Sequence, residues 1–181
     1  MTKQPFFQGS ADMLCGIYCA ARLIACHKVL KADPENQAEF YERAADDAFY
    51  KLIISVEECK LLNAARIACP DPKKGGGFKD KQLQRVFNRL KDTDREGLKA
   101  IAFSSSLMNS LKGSEYRDML KRGAYAIVNQ SSENHWITIE GKHRDGGYYS
   151  FDPSEGGSTS SVPQIGWGKG LFIAEPKVFI F

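Results

Sequence analysis

The chain has no run of about 18 apolar residues of the kind that crosses a membrane, and its N-terminus, MTKQPFFQGSADM, lacks the apolar core of an export signal. The expectation is a protein made in the cytoplasm, without a membrane span, that would need a signal-independent route to leave it. No Pro, Gly or Ser tract is long enough to read as a disordered segment, and no internal repeat occurs. Charge of one sign is not concentrated either: 25 Lys and Arg against 22 Asp and Glu leave a net of +3, interspersed along the chain. A nucleic-acid partner is therefore not expected, and the densest basic stretch, Lys60 to Lys91, reads as solvated helix surface. The five cysteines are odd in number and irregularly spaced, with no CxxC and no Cys/His grouping of zinc type. That pattern points to reduced thiols, no bound metal and no cofactor. Histidine is scarcer still, at three, which narrows any search for a general base.

What is present suits one domain, 1–181, with a real core: 43% of the residues are hydrophobic and 26% charged. Apolar positions at Leu14, Ile17, Tyr18, Ala21, Ile24 and Ala25 follow one helix face and predict a helix to about Lys31. Asp33-Pro34 reads as N-cap and first residue of a second helix to about Ile54, and Ser55 with Glu58 has the spacing of a capping box for a third. Pro70, Pro72 and Gly75-Gly76-Gly77 break the helical pattern, after which Asp80 can cap a helix through Leu90.

Beyond residue 98 the texture changes to short β-rich runs at Lys99–Phe103, Ala124–Asn129, Trp136–Glu140, Tyr148–Phe151, Leu171–Ala174 and Val178–Phe181. One helix, Ser114 to Arg122, interrupts them and stops at Gly123. Turns at His143–Gly147 and Glu155–Ser158 join strands close in sequence, so the sheet should be largely antiparallel. Helices first and strands afterwards predict an α+β fold, a helical half of about 1–98 packed on a β-rich half of about 99–181.

Cys15 stands where the first helix begins. A helix start offers partial positive charge and free N–H groups, which favour a thiolate, although a cysteine there can equally be a small packing residue. Cys19, one turn on, loses those free N–H groups. Cys26 and Cys59 read as buried structural thiols, and Cys69, before Pro70, as exposed. A thiol nucleophile needs a partner to take and return its proton, and near neutral pH that favours histidine. His27 lies on the same helix as Cys15, roughly 18 Å further along, too far to act as the base. His143 falls in a charged, glycine-rich turn. His135 opens the alternating strand His135-Trp136-Ile137-Thr138-Ile139-Glu140 and, by parity with Ile137, projects toward the interior. It can be a base or a hydrogen-bonded core histidine. Asp152 ends the next strand across a short hairpin, where it can orient the imidazole or simply start the turn at Pro153.

The order Cys15, His135, Asp152 and the string Gln8 to Cys15-Gly16-Ile17-Tyr18 resemble the papain-like cysteine peptidase superfamily. His135 lies 120 residues and Asp152 137 residues after Cys15, near the roughly 130 to 150 of the papain group. The likeness spans residues 8 to 152 through four short segments. It implies a papain-like fold beginning with the nucleophile helix, and a Cys-His-Asp triad hydrolysing peptide bonds. It also implies that Gln8, rather than Gln4, donates its side-chain amide to the oxyanion beside the Cys15 N–H. Trp136, Trp167 and Tyr149 are candidate walls of a substrate cleft, with core packing as the alternative role for each.

The chain departs from papain itself, which resembles Cys-Gly-Ser-Cys-Trp at the nucleophile and uses Asn as the orienting group. Ile17, Tyr18 and Asp152 stand in their places here, and paired cysteines and a propeptide are missing. It is more similar to compact bacterial branches, the peptidases that trim double-glycine leaders and the papain-like toxins injected into other cells. That resemblance implies a protein or peptide substrate, cleavage after small residues such as Gly-Gly, and, for an effector toxin, an immunity or inhibitor protein. An ordinary intracellular processing enzyme fits as well. The same triad also serves deamidases and transglutaminase-like acyl transferases, and a papain-like fold without turnover would be a peptide-binding module.

Overall fold

A computed structural model describes residues 14–31, 37–62, 77–103, 118–130, 135–142, 148–153, 161–162 and 167–179. Among them, helices α1 (Cys15–Val29), α2 (Gln37–Glu58) and α3 (Asp80–Arg89) precede strands β1 (Lys99–Phe103), β2 (Tyr125–Gln130), β3 (His135–Lys142), β4 (Tyr148–Phe151), β5 (Ser161–Val162) and β6 (Trp167–Ala174). The class is α+β, helical half first, as the sequence pattern predicts. None of the described helices is long and apolar enough to cross a membrane.

α1 is buried almost all round, as expected of a helix that is apolar on every side. It lies between α2 and the sheet. Small residues on both helices, Ala20, Ala21 and Ala25 against Ala44, Ala45 and Ala48, fill this core, and the Tyr18 and Phe49 rings meet at 4.6 Å. α2 corrects one expectation. Ser55 does not open a third helix: it is buried inside α2, because Leu52, Val56 and Cys59 continue the apolar stripe that holds the helix on the core. The real stop is Lys60, at φ 58, where the bonds Lys60 N to Glu57 O and Leu61 N to Val56 O close a Schellman end. The Asp33-Pro34 start lies outside the described residues. In α3 the cap is Lys79, its N–H bonded to the Gln82 side chain at 2.9 Å, and Asp80 is the first helical residue.

The six strands form one sheet in the order β1-β6-β2-β3-β4-β5, and every pair is antiparallel. β6 inserts between β1 and β2, and its alternation serves two cores. Leu171 and Ile173 pack with Ile127 and Trp136 beneath the helices. Phe172 and Ala174 pack with Ile137, Ile139, Val128 and Phe103 on the other face, under Met119 and Val178. Gly170 is needed here because the Phe103 ring crosses β6 at that point: a Cβ would sit 2.4 Å from Phe103 Cζ and 2.5 Å from the Ile127 carbonyl oxygen. A second correction falls at the C-terminal end. Val178 and Phe179 of the predicted strand Val178–Phe181 belong instead to a 3-10 helix over Pro176–Phe179, in which Val178 N bonds back to Glu175 O at 3.0 Å, while Ile180 and Phe181 lie outside the described residues. β5 was not anticipated, being only two residues long. The helix expected over Ser114 to Arg122 is present at 118–121, and its first turn lies outside the described residues.

Candidate active site

Cys15 is the first residue of α1. The first intrahelical acceptor is the Leu14 carbonyl, taken by Ile17 N at 2.7 Å and Tyr18 N at 2.9 Å. The N–H groups of Cys15 and Gly16 therefore precede the helical ladder. Among the described residues no acidic one lies in the first turn and no side chain caps it, which leaves the partial positive charge of the helix start available to a thiolate. Gly16 lets this end settle onto its neighbours, since a Cβ would meet Leu83 Cδ2 at 2.9 Å and the Trp136 ring at 3.5 Å.

His135 is the first residue of β3, and Asp152 directly follows β4. The pairing of Thr138 with Phe151 and Ile139 with Ser150, continued by one step, opposes Ile137 to Asp152. His135 and Asp152 then lie on the diagonal of one face, a separation their side chains can span. The imidazole Nε2–H donates to Asp152 Oδ1 at 2.7 Å. The Cys15 side chain acts on the same ring. The Asp152 hydrogen bond, then the Cys15 thiol, push the His135 pKa up to about 10, against the opposing effect of burial. Strand parity alone puts His135 with Ile137, on the face away from α1, yet its ring reaches Cys15. Both residues are the first of their elements, and α1 and β3 start side by side. The imidazole and carboxylate keep 16% and 17% of their surface, so the site opens to solvent, while Cys15 keeps only 6%.

Trp136 is a core residue: it is buried, its indole N–H donates to the Phe78 carbonyl at 3.1 Å, and its ring supports the start of α1. Trp167 opens β6 and Tyr149 lies within β4. Gln8, Gln4 and His143 lie outside the described residues. Cys19 is fully buried with its thiol on the Trp136 carbonyl at 3.3 Å, and burial, followed by the nearby Cys15 and Asp152, pushes its pKa well up. Cys26 is likewise pushed up to about 11 by burial. His27 sits at the other end of α1, its Nε2 3.8 Å from Glu175. Among the described residues no cluster of three His, Cys, Asp or Glu side chains is arranged to hold a metal ion.

Sequence reasoning passed over two charged residues beside this site. Arg22, buried in the middle of α1, forks onto Glu140 of β3 through Nε to Oε1 and Nη2 to Oε2, the latter at 3.1 Å. A lone arginine inside the apolar run Ala20-Ala21-Arg22-Leu23-Ile24-Ala25 is the signal that could have found it. No protein-family model, curated protein or solved structure matches the chain.

Proposed function

We propose that the protein is a papain-like cysteine peptidase acting on proteins or peptides. One observation carries the reading: a single imidazole is hydrogen-bonded to the Asp152 carboxylate and has its pKa raised further by the thiol at the open start of a helix. This is the relation that a thiol nucleophile needs to its base, and the base to its orienting group.

In this reading the Cys15 sulfur attacks a peptide carbonyl carbon while its proton rests on His135. The oxyanion is held by the Cys15 N–H and, as the resemblance implies, by the Gln8 amide. His135 gives the proton to the departing amine, leaving a thioester. A water then attacks the thioester, His135 takes its proton and returns it to the sulfur, and the carboxylic acid is released. Asp152 holds the ring in the orientation for both transfers and stabilises the imidazolium.

The test is to incubate the protein and a Cys15→Ala variant with a proteome and map new N-termini by mass spectrometry. New termini should appear with the native protein alone, and the residues before each cut then define its preference. Termini that persist with the alanine variant, or mass gains of about 1 Da without cleavage, would overturn the peptidase reading.

A further inference from the structure

Arg22 joins all three elements that bring the site together. It belongs to α1, which starts with Cys15. Its guanidinium forks onto Glu140 of β3, which starts with His135. The same guanidinium carbon lies 4.4 Å over the Phe151 ring centroid, one residue before Asp152. Nη1 reaches the Tyr41 hydroxyl of α2 at 3.0 Å, and Thr138 Oγ1, fully buried on β3, donates to Glu140 Oε1 at 3.0 Å.

An ion pair in such a place is a poor way to gain stability, because desolvating two charges cancels most of their attraction and an apolar pair of similar size does as well or better. It does supply direction. A fork on a carboxylate fixes distance and rotation together, whereas the small apolar contacts around it, such as Ala21, Ala25 and Ile24, would let α1 slide along the sheet. Cys15 precedes Arg22 by about two turns, and His135 precedes Glu140 by five residues. A shift of α1 along β3 therefore moves the sulfur against the imidazole by the same amount.

We propose that Arg22, held by Glu140, is a positioning residue that sets Cys15 in register with His135 and Asp152. This rests on the triad reading given above and adds a device for holding its geometry. Arg22 touches none of the reacting atoms and acts through the alignment of α1 on β3.

The test is the rate at which iodoacetamide alkylates Cys15 at pH 6, read by peptide mapping with Cys59 as internal reference, alongside the melting temperature. In the double variant Arg22→Met/Glu140→Met the apolar pair should keep the protein folded, its melting temperature lowered only by the Thr138 and Tyr41 hydroxyls that lose a partner, while Cys15 alkylation falls at least about tenfold. Arg22→Lys keeps the charge without the fork and should fall between the two. A folded double variant that alkylates at the native rate overturns the proposal. If that variant does not fold, a native rate in Arg22→Lys does so. A different result, native Cys15 alkylating no faster than in His135→Gln, would sink the triad reading itself.

Discussion

Replacing Asp152 with Asn removes the carboxylate that most raises the His135 pKa and keeps the shape of the side chain. In the native protein the imidazole is pushed up to about 10, first by the Asp152 hydrogen bond at 2.7 Å and next by Cys15. A nearby opposite charge is worth about 1 to 3 pH units of midpoint, so His135 in Asp152→Asn should titrate between about 7 and 9. The assay is a histidine-ring NMR titration, simplified by there being three histidines in the chain, with His135→Gln to assign the signal. Stability follows the same group. Because its folded pKa lies above the unfolded value near 6.5, the charged ring stabilises the fold fully below about pH 6.5. That contribution is lost as pH rises toward 10, at no more than about 1 kcal/mol per pH unit for a ring open to solvent. In Asp152→Asn the sloping window should close nearer neutrality. A native His135 midpoint near 6.5, or one that stays near 10 without the carboxylate, would refute the account of the site.

Two further substitutions probe the scaffold. Gly170→Ala places a methyl against the Phe103 ring and the Ile127 carbonyl and should cost about 3 kcal/mol in denaturant unfolding, an unchanged midpoint showing that the strands do not meet so closely. Lys60→Gly relieves a left-handed residue at the end of α2 and should raise stability by about 0.5 to 1 kcal/mol, whereas a loss would show that the α2 end is built differently.

Where apolar periodicity was long, the sequence was readable. α1 shows in its apolar periodicity, and β1 and β4 match their runs of residues to the letter. Local signals misled where tertiary packing outweighed them. The Ser55–Glu58 spacing would start a helix in isolation, but the stripe through Val56 carries α2 past it. Val178 and Phe179 are strand formers, but Pro176 presets the φ with which the 3-10 turn over Pro176–Phe179 begins. At the site, the scarcity of histidine and the short hairpin after β3 lead from His135 to Asp152, and the two side chains are hydrogen-bonded. The Arg22–Glu140 fork was only half legible: a lone arginine in an apolar run stands out, but nothing local in its segment names Glu140 as the partner.

The place of β6 sets the order in which this protein can become whole. β1 and β2 do not pair with each other; each pairs with β6, a segment made after every other described strand. A nascent chain that has already produced Cys15, His135 and Asp152 still holds two unmatched edges, exposed to chaperones or to each other's copies. Any stop before residue 167 leaves β1 without a neighbour and one side of β2 open, so the sheet that carries His135 is joined to β1 only once β6 has been made.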